Sequence, residues 1–240
     1  MIWFEDWFNS PYYHLLYKNR DKKEAQNFID NLITYLQIPK HSKLLDVGCG
    51  TGRHAIYFNK KGMDVVGFDL SNNNINTAKK AENETLEFIV HDMRKPFKRN
   101  TFNIVTNLFT SFGYFENDNE EQKTINGMAL NLKQKGILII DFMNSKKAVK
   151  NLVASEEKEV EGLTFSIKRR IEKRHIIKDI TFSHNNTNYQ FQEKVKILTL
   201  TDFSSFIANA GLKIIDIFGN YNLKDFNAVT SERLIMICKK

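Results

Sequence analysis

The chain has 240 residues, 42% hydrophobic and 26% charged, a balance ordinary for a folded globular protein that leaves disordered, collagen-like and disulfide-scaffold classes without support. Its 35 Lys and Arg against 28 Asp and Glu give a formal charge of +7, a hint of an anionic partner, although most charge runs are solvated faces. No apolar run approaches the roughly 18 residues of a membrane span, the N-terminus lacks the basic start of a secretory signal, and Cys49 and Cys238 are too far apart for a metal or redox spacing, so a cytoplasmic chain with free thiols is expected.

The first forty residues read as helices, with Phe28, Ile29, Leu32, Ile33 and Leu36 at helical spacing before Pro39 closes the segment. A helical unit over 1–40 is expected to cap a sheet. Between 42 and 143, β-branched runs alternate with helical stretches, the pattern of βαβ units around a parallel sheet. Strands are predicted at 43–47, 64–69, 86–90, 102–109 and 136–142, with a helix at 52–60 and another started by Ser71-Asn72-Asn73-Asn74, whose small polar side chains cap N–H groups. After Asn144 the period changes: Phe165, Ile167, Arg169 and Ile171 alternate with polar residues, and strands at 176–182 and 189–200 flank the turn-like His184-Asn185-Asn186-Thr187-Asn188. An antiparallel insertion over 145–200 follows, carrying 12 basic and 7 acidic residues. A helix at 201–210 and strands at 212–218 and 233–238 complete a main domain of 41–144 and 201–240. The fold class is α/β: a mostly parallel seven-stranded sheet with helices on both faces, plus the antiparallel insertion before the last two strands.

Leu44-Leu45-Asp46-Val47-Gly48-Cys49-Gly50-Thr51-Gly52 falls where the first strand passes to the first helix, the place where doubly wound sheets bind nucleotide-like ligands. Glycines there let backbone approach a ligand, and the helix start offers unpaired N–H groups. A dinucleotide fingerprint would need glycine where Arg53 stands, and no Gly-Lys-Ser/Thr completes a Walker loop. Asp69, followed by Leu70, ends the second strand, where an acid can accept both ribose hydroxyls. Asp92, followed by Met93, ends the third, where an acid can accept the exocyclic amine of adenine. The ligand is then an adenosine. Asp46, at its other end, would repel a pyrophosphate but suits an ammonium or sulfonium.

With these residues the chain resembles the class I S-adenosylmethionine-dependent methyltransferases, closely over 42–144. The resemblance implies a Rossmann-like methyltransferase fold, with S-adenosyl-L-methionine as cofactor and S-adenosyl-L-homocysteine as product. It implies that Asp46, Gly48, Cys49, Gly50 and Gly52 form the cofactor loop, that Asp69 and Leu70 meet the ribose and Asp92 and Met93 the adenine, and that Asn107-Leu108 holds the methionine end. Enzymes that methylate exocyclic base amines carry an Asn/Asp-Pro-Pro-aromatic motif where this chain has Asn107-Leu108-Phe109-Thr110. Neither cysteine is placed as the nucleophile a cytosine-C5 enzyme needs. Asn103 and Asn107 stand where catechol-type enzymes need carboxylates for magnesium, so no metal is expected. What remains resembles the glycine and amino-sugar N-methyltransferases, in which an antiparallel insertion lids the acceptor site. A set of bacterial proteins of unassigned substrate is also similar, through Tyr12-Tyr13-His14-Leu15-Leu16-Tyr17, Ser111-Phe112-Gly113-Tyr114-Phe115 and Ser231-Glu232-Arg233-Leu234-Ile235.

Tyr13, Tyr17 and Arg20 share a helical face and can close over the cofactor with Arg20 near its carboxylate; packing on the sheet with Arg20 solvated is the equal alternative. Tyr114 faces the cleft, where an aromatic wall suits a sulfonium, and Tyr13 and Tyr114 are the candidate catalytic side chains. Phe112 reads as core, His91 and His54 as structural, and Asp141 and Asn144 as acceptor-site groups or caps. Arg233 could pair with an anionic substrate or with a surface acid. Since the sulfonium already activates the methyl group, alignment dominates, and a neutral amine needs no dedicated base. An oxygen acceptor would need one, and no unambiguous base is legible, so nitrogen is preferred. The expected partner is a small-molecule acceptor, for a monomer or homodimer without membrane contact. Two readings compete: an RNA or protein methyltransferase using the basic run Lys168-Arg169-Arg170-Ile171-Glu172-Lys173-Arg174-His175, and a non-catalytic S-adenosylmethionine sensor.

Overall fold

The computed structural model describes residues 3–18, 22–108 and 111–240. Five strands, β1 (Lys43–Val47), β2 (Asp64–Asp69), β3 (Leu86–Val90), β4 (Phe102–Asn107) and β5 (Leu132–Met143), lie parallel. The sheet order is β10-β11-β5-β4-β1-β2-β3, with β11 (Arg233–Lys239) antiparallel to both β5 and β10 (Lys213–Phe218). Order reverses at β1, so the carboxyl ends of β1 and β4 open the crevice where such sheets take ligands.

Alternation along each strand builds two cores. Leu45, Ile140 and Met236 face α6 (Asp118–Asn131) and α8 (Leu200–Asn209), whose Ile125, Met128, Phe203 and Ile207 complete that side. Leu44, Ile139 and Ile235 point the other way, toward Phe28 and Leu32 of α3 (Lys22–Leu36), Phe58 of α4 (Arg53–Lys60) and Ile75 of α5 (Asn72–Ala78). Ser71 caps α5 by accepting from the Asn74 N–H at 3.1 Å, as its position at the end of β2 predicts.

After α7 (Ser145–Lys150), the insertion is a four-stranded antiparallel sheet of β6 (Ser155–Val160), β7 (Leu163–Glu172), β8 (His175–His184) and β9 (Thr187–Lys196). Its inner face presents Phe165, Ile167, Ile180 and Phe182 to Trp7 of α1 (Trp3–Phe8) and Leu16 of α2 (Pro11–Leu16), a third core separate from the other two.

Three local features depart from the sequence reading. β6 was not predicted: Ser-Glu-Glu-Lys-Glu offers no apolar alternation, and the strand is held at the sheet edge, where charge is tolerated. β5 begins four residues before Gly136, at Leu132, which pairs with Phe102 ahead of a register shift. The N-terminal helices do not act together as a cap: α3 packs on the parallel sheet, whereas α1 and α2 pack on the insertion.

Candidate active site

The glycine loop is drawn onto β2 by Gly48 and Cys49 N–H groups, which both donate to the Phe68 carbonyl at 2.8 and 2.9 Å. Gly50 follows in the left-handed region at φ +56°, and a Cβ there would meet nothing within 4 Å, so this turn leaves an open cradle. Asp69, ending β2, accepts from Gly50 N–H at 2.9 Å and from Ser71 N–H at 2.8 Å, and so ties the loop to the start of α5. Burial raises its carboxyl above the usual range while those two N–H groups pull it back. Asn74 faces the same carboxylate, and its own buried Oδ1 has no hydrogen-bond partner. An unpaired buried acceptor beside a carboxylate fits the vicinal hydroxyls of a ribose.

At the end of β3, Arg94 grips Asp92 through Nε at 3.0 Å to each oxygen and Nη2 at 2.7 Å, and reaches Glu120 with Nη1 at 2.8 Å. Despite the desolvation that opposes it, this pairing holds the Asp92 carboxyl below the usual range. His91 packs edge-on against Phe68 and Phe97 with Nε2 3.0 Å from the Lys95 carbonyl.

These groups wall a cavity of about 340 Å³, of which Gly48, Cys49, Gly50, Asp69, Leu70, Asp92, Met93, Leu108, Tyr114, Tyr13 and Tyr17 all form part. Its roof comes from the N-terminal hairpin. Phe8 lies 4.9 Å from Tyr13 and 5.3 Å from Tyr114 between ring centroids, and Tyr13 lies 5.1 Å from Tyr17, so rings of α1, α2 and the loop after β4 meet over the cavity. The hairpin is pinned to α5 by Ser71 Oγ donating to Asn9 Oδ1 at 2.5 Å and by Asn73 Nδ2 donating to the Asn9 carbonyl at 3.1 Å. Cys49 is a free, buried thiol pushed well above its ordinary pKa, which makes it a poor nucleophile.

Several candidates stand elsewhere. Asp46 is buried behind the loop, where strand alternation turns it toward β4: Thr106 Oγ1 donates to its Oδ1 at 2.9 Å, and Oδ2 has no partner. Gly52 is also off the cavity wall, and a Cβ on it would strike the Phe88 ring at 2.6 Å. Asn107 is fully buried with Nδ2 donating to the Val47 carbonyl at 2.8 Å, so it stitches β4 to β1 and leaves the wall to Leu108. Arg20 lies outside the described residues. Asp141 and Asn144 do not reach the cavity: Asp141 takes Arg233 Nε at 2.8 Å and the Tyr221 hydroxyl at 3.0 Å, and Asn144 donates to the Ala228 and Ser231 carbonyls. His54 and His91, read as structural, do line it, as do Phe8, Asn74 and Arg94, which the sequence reading passed over. The aromatic Trp3-Phe4…Trp7-Phe8 run was the available signal for Phe8. Among the described residues no group of three His, Cys, Asp or Glu gathers to hold a metal ion.

Burial pushes the Asp46 carboxyl up to about 7, with the Thr106 hydroxyl pulling back. An unfolded aspartate titrates near ~3.9, so between about pH 4 and about pH 7 the native chain keeps a proton that the unfolded chain releases. Stability contributed by this group is therefore full at the acid end and lost as pH rises, by at most about 1.4 kcal/mol per unit. Asp46→Asn, which keeps the Thr106 contact, is expected to flatten that decline in urea unfolding at about pH 5 and about pH 7.5. An unchanged slope would mean that Asp46 is ionised in place.

Over residues 38–199 the chain matches the family described as a methyltransferase domain. It is 23% identical to a protein named a methyltransferase in Geobacillus sp. (strain WCH70), over 90% of this chain and 91% of that one. Over 54% of each chain it is 32% identical to the dTDP-3-amino-3,4,6-trideoxy-alpha-D-glucopyranose N,N-dimethyltransferase of Streptomyces venezuelae. In fold it is similar to an S-adenosylmethionine-dependent methyltransferase from Clostridium acetobutylicum, with a TM-score of 0.81 at 17% identity and 95% of each chain covered. The seven-stranded sheet with its glycine loop, together with a family match over about two thirds of the length, leads to one conclusion: the chain belongs to the methyltransferase-domain family and is an S-adenosylmethionine-dependent methyltransferase.

Proposed function

We infer that the chain methylates the nitrogen of a small-molecule amine inside the cavity between the glycine loop and the α1–α2 hairpin. The observation that carries this reading is the partial roof: Phe8, Tyr13 and Tyr114 meet over one side of a cavity of about 340 Å³, within the range of small-molecule sites. Asp69 and Asn74 take the ribose hydroxyls, Asp92 and Met93 border the adenine, and the backbone of Gly48 and Gly50 with Leu108 borders the methionine portion. Bound S-adenosylmethionine supplies a methyl group already activated by its sulfonium. Tyr13 and Tyr114, with Phe8, present aromatic faces that favour a cationic centre and exclude water, so their part is alignment. The α1–α2 hairpin closes the cavity, and the insertion at 145–200 acts as a lid through it, packing on Trp7 and Leu16 without itself lining the cavity. The likeness to an amino-sugar N,N-dimethyltransferase over half the chain supports nitrogen as the acceptor atom.

An RNA acceptor loses its main support in the pairing of the basic run. Arg169 meets Glu156, Arg170 meets Asp179 and Glu172, and Arg174 meets Asp202 and Asp118, so the three arginines of the run are ion-paired within the chain. Incubation with methyl-labelled S-adenosylmethionine and a deproteinised bacterial extract is expected to put label in the small-molecule fraction, as an N-methyl product by mass spectrometry. RNA binding is expected to be weak, without the steep salt dependence of phosphate contacts. Label confined to RNA or protein, or only O-methylated product, would overturn the reading.

A further inference from the structure

A charged row crosses the inner face of the insertion sheet where packing asks for apolar residues. Arg169, Lys178 and Glu193 are in register on β7, β8 and β9, between the row Ile167–Ile180–Phe191 and the row Ile171–Ile176–Val195. Burying such charges costs free energy unless each is paired: Arg169 pairs with Glu156 at the sheet edge, and Lys178 and Glu193 pair toward the cavity. Tyr17 Oη donates to Glu193 Oε1 at 2.6 Å, and Trp7 Nε1 donates to the same oxygen at 2.7 Å. Lys178 Nζ donates to Tyr17 Oη and stands 3.4 Å from Glu193 Oε2. Of these four residues Tyr17 lines the cavity, so a carboxylate shielded from the cavity communicates with it through one phenol.

An aliphatic amine with a pKa near that of lysine, ~10.4, arrives at neutral pH as an ammonium without a free lone pair. We propose that Tyr17 is a catalytic residue that receives this proton at Oη while its own phenolic proton passes to Glu193, and that Glu193 and Lys178 are the positioning residues of this relay. The inference rests on the amine reading above. The balance closes: the ammonium N–H bond breaks, a Tyr17 O–H forms as the old one breaks, and Glu193 becomes a neutral carboxylic acid. The freed nitrogen lone pair then forms the bond to the methyl carbon as the C–S bond breaks and its electron pair goes to sulfur. Lys178 stabilises negative charge on Oη during the hand-over. Burial lowers its own pKa, with Glu193 opposing that fall and Arg169 adding to it. Among the described residues, the other charged or titratable groups on this side are Tyr13, its ring 5.1 Å from that of Tyr17; Glu156, paired with Arg169; Lys158, which donates to the Leu16 carbonyl at 3.0 Å; His14, on the cavity wall; and Lys18, paired with Glu161.

The full chain is compared with Tyr17→Phe, Glu193→Gln and Lys178→Met. Ring-¹³C tyrosine NMR, without acceptor or cofactor, follows the Tyr17 resonance identified by its loss in Tyr17→Phe. Removing the carboxylate charge is expected to lower its titration by at least about one pH unit, and removing the ammonium to raise it. In methyl transfer to the small-molecule fraction of a deproteinised extract, Glu193→Gln and Tyr17→Phe are expected to fall at least about 100-fold. For Glu193→Gln, whose side chain does not line the cavity, S-adenosylhomocysteine affinity should stay within about twofold of wild type. The Glu193→Gln rate should climb about tenfold per pH unit as the acceptor deprotonates in solution, while the wild-type rate stays flat over the same range, a contrast that a merely structural role would not produce. Glu193→Gln alone carries the test should Tyr17→Phe fail to fold. A Tyr17 resonance indifferent to both substitutions, or variants with wild-type rates, would overturn the relay. A wild-type protein that binds S-adenosylhomocysteine yet labels no small molecule would overturn the amine reading and the relay together.

Discussion

Asp69→Ala is expected to weaken S-adenosylhomocysteine binding by at least about 100-fold in calorimetry. A hydrogen bond to a charged acceptor contributes about 1.5–3 kcal/mol, and a carboxylate that takes both ribose hydroxyls loses two of them at once. Two other effects enter. Asp69 also receives the Gly50 and Ser71 N–H groups, so its removal frees the glycine loop from α5. Asn74, left with an unpaired Oδ1, would retain part of the ribose contact. The two origins of the loss separate with a 2′-deoxy cofactor analogue. If Asp69 holds the hydroxyl, deoxygenation weakens binding to the wild-type protein and changes little in Asp69→Ala, the non-additivity of a direct contact. Equal losses in both proteins would show that Asp69 acts through the loop alone, and the ribose assignment would then fall.

Arg233→Leu is the substitution with the largest expected effect on stability. Asp141 is 1% exposed and takes Arg233 Nε on one oxygen and the Tyr221 hydroxyl on the other. Burial pushes the Tyr221 hydroxyl upward, and the Asp141 carboxylate beside it adds to that rise. Deleting the guanidinium strands a buried carboxylate, at a cost of about 3–5 kcal/mol. At about 2–4 °C per kcal/mol for a chain of this size, thermal unfolding should move down by roughly 10 °C. The double substitution Arg233→Leu with Asp141→Leu is expected to recover most of that loss, because an apolar pair of similar volume is often neutral. S-adenosylhomocysteine affinity should not change, since neither residue lines the cavity. A double variant as unstable as the single one would mean that Tyr221 and its neighbours depend on Asp141 directly.

The parallel half of the molecule was legible because its signals are local. Leu44 and Leu45 on β1, and the corresponding pairs on β4 and β5, point to two helix-covered faces, and the short continuous apolar runs this produces need no tertiary information. Ser71 declares the start of α5 by its own capping chemistry, and the loop 48–52 announces a ligand by glycines that only a close backbone approach explains. Asp69, Asp92 and Leu70 reach the cavity because a carboxyl-terminal strand position in such a sheet is a spatial address.

What the linear order withheld depended on which way a side chain turns and on what else is buried beside it. Asp46 and Asn107 sit in the same motifs as cavity residues, yet both are buried off the cavity wall, where the Thr106 hydroxyl and the Val47 carbonyl take them. Lys168 to His175 reads as a basic surface until Glu156, Asp179 and Asp202 arrive from other strands and a helix to pair with its arginines. Tyr17 lies 161 residues before Lys178 and 176 before Glu193, so only the packing of α2 on the insertion sheet brings it to that pair. Composition, period and capping determine which elements form, since they act within a few residues. The wall of the cavity and the state of each carboxyl were decided by tertiary contacts, since desolvation and pairing depend on neighbours that the sequence does not place.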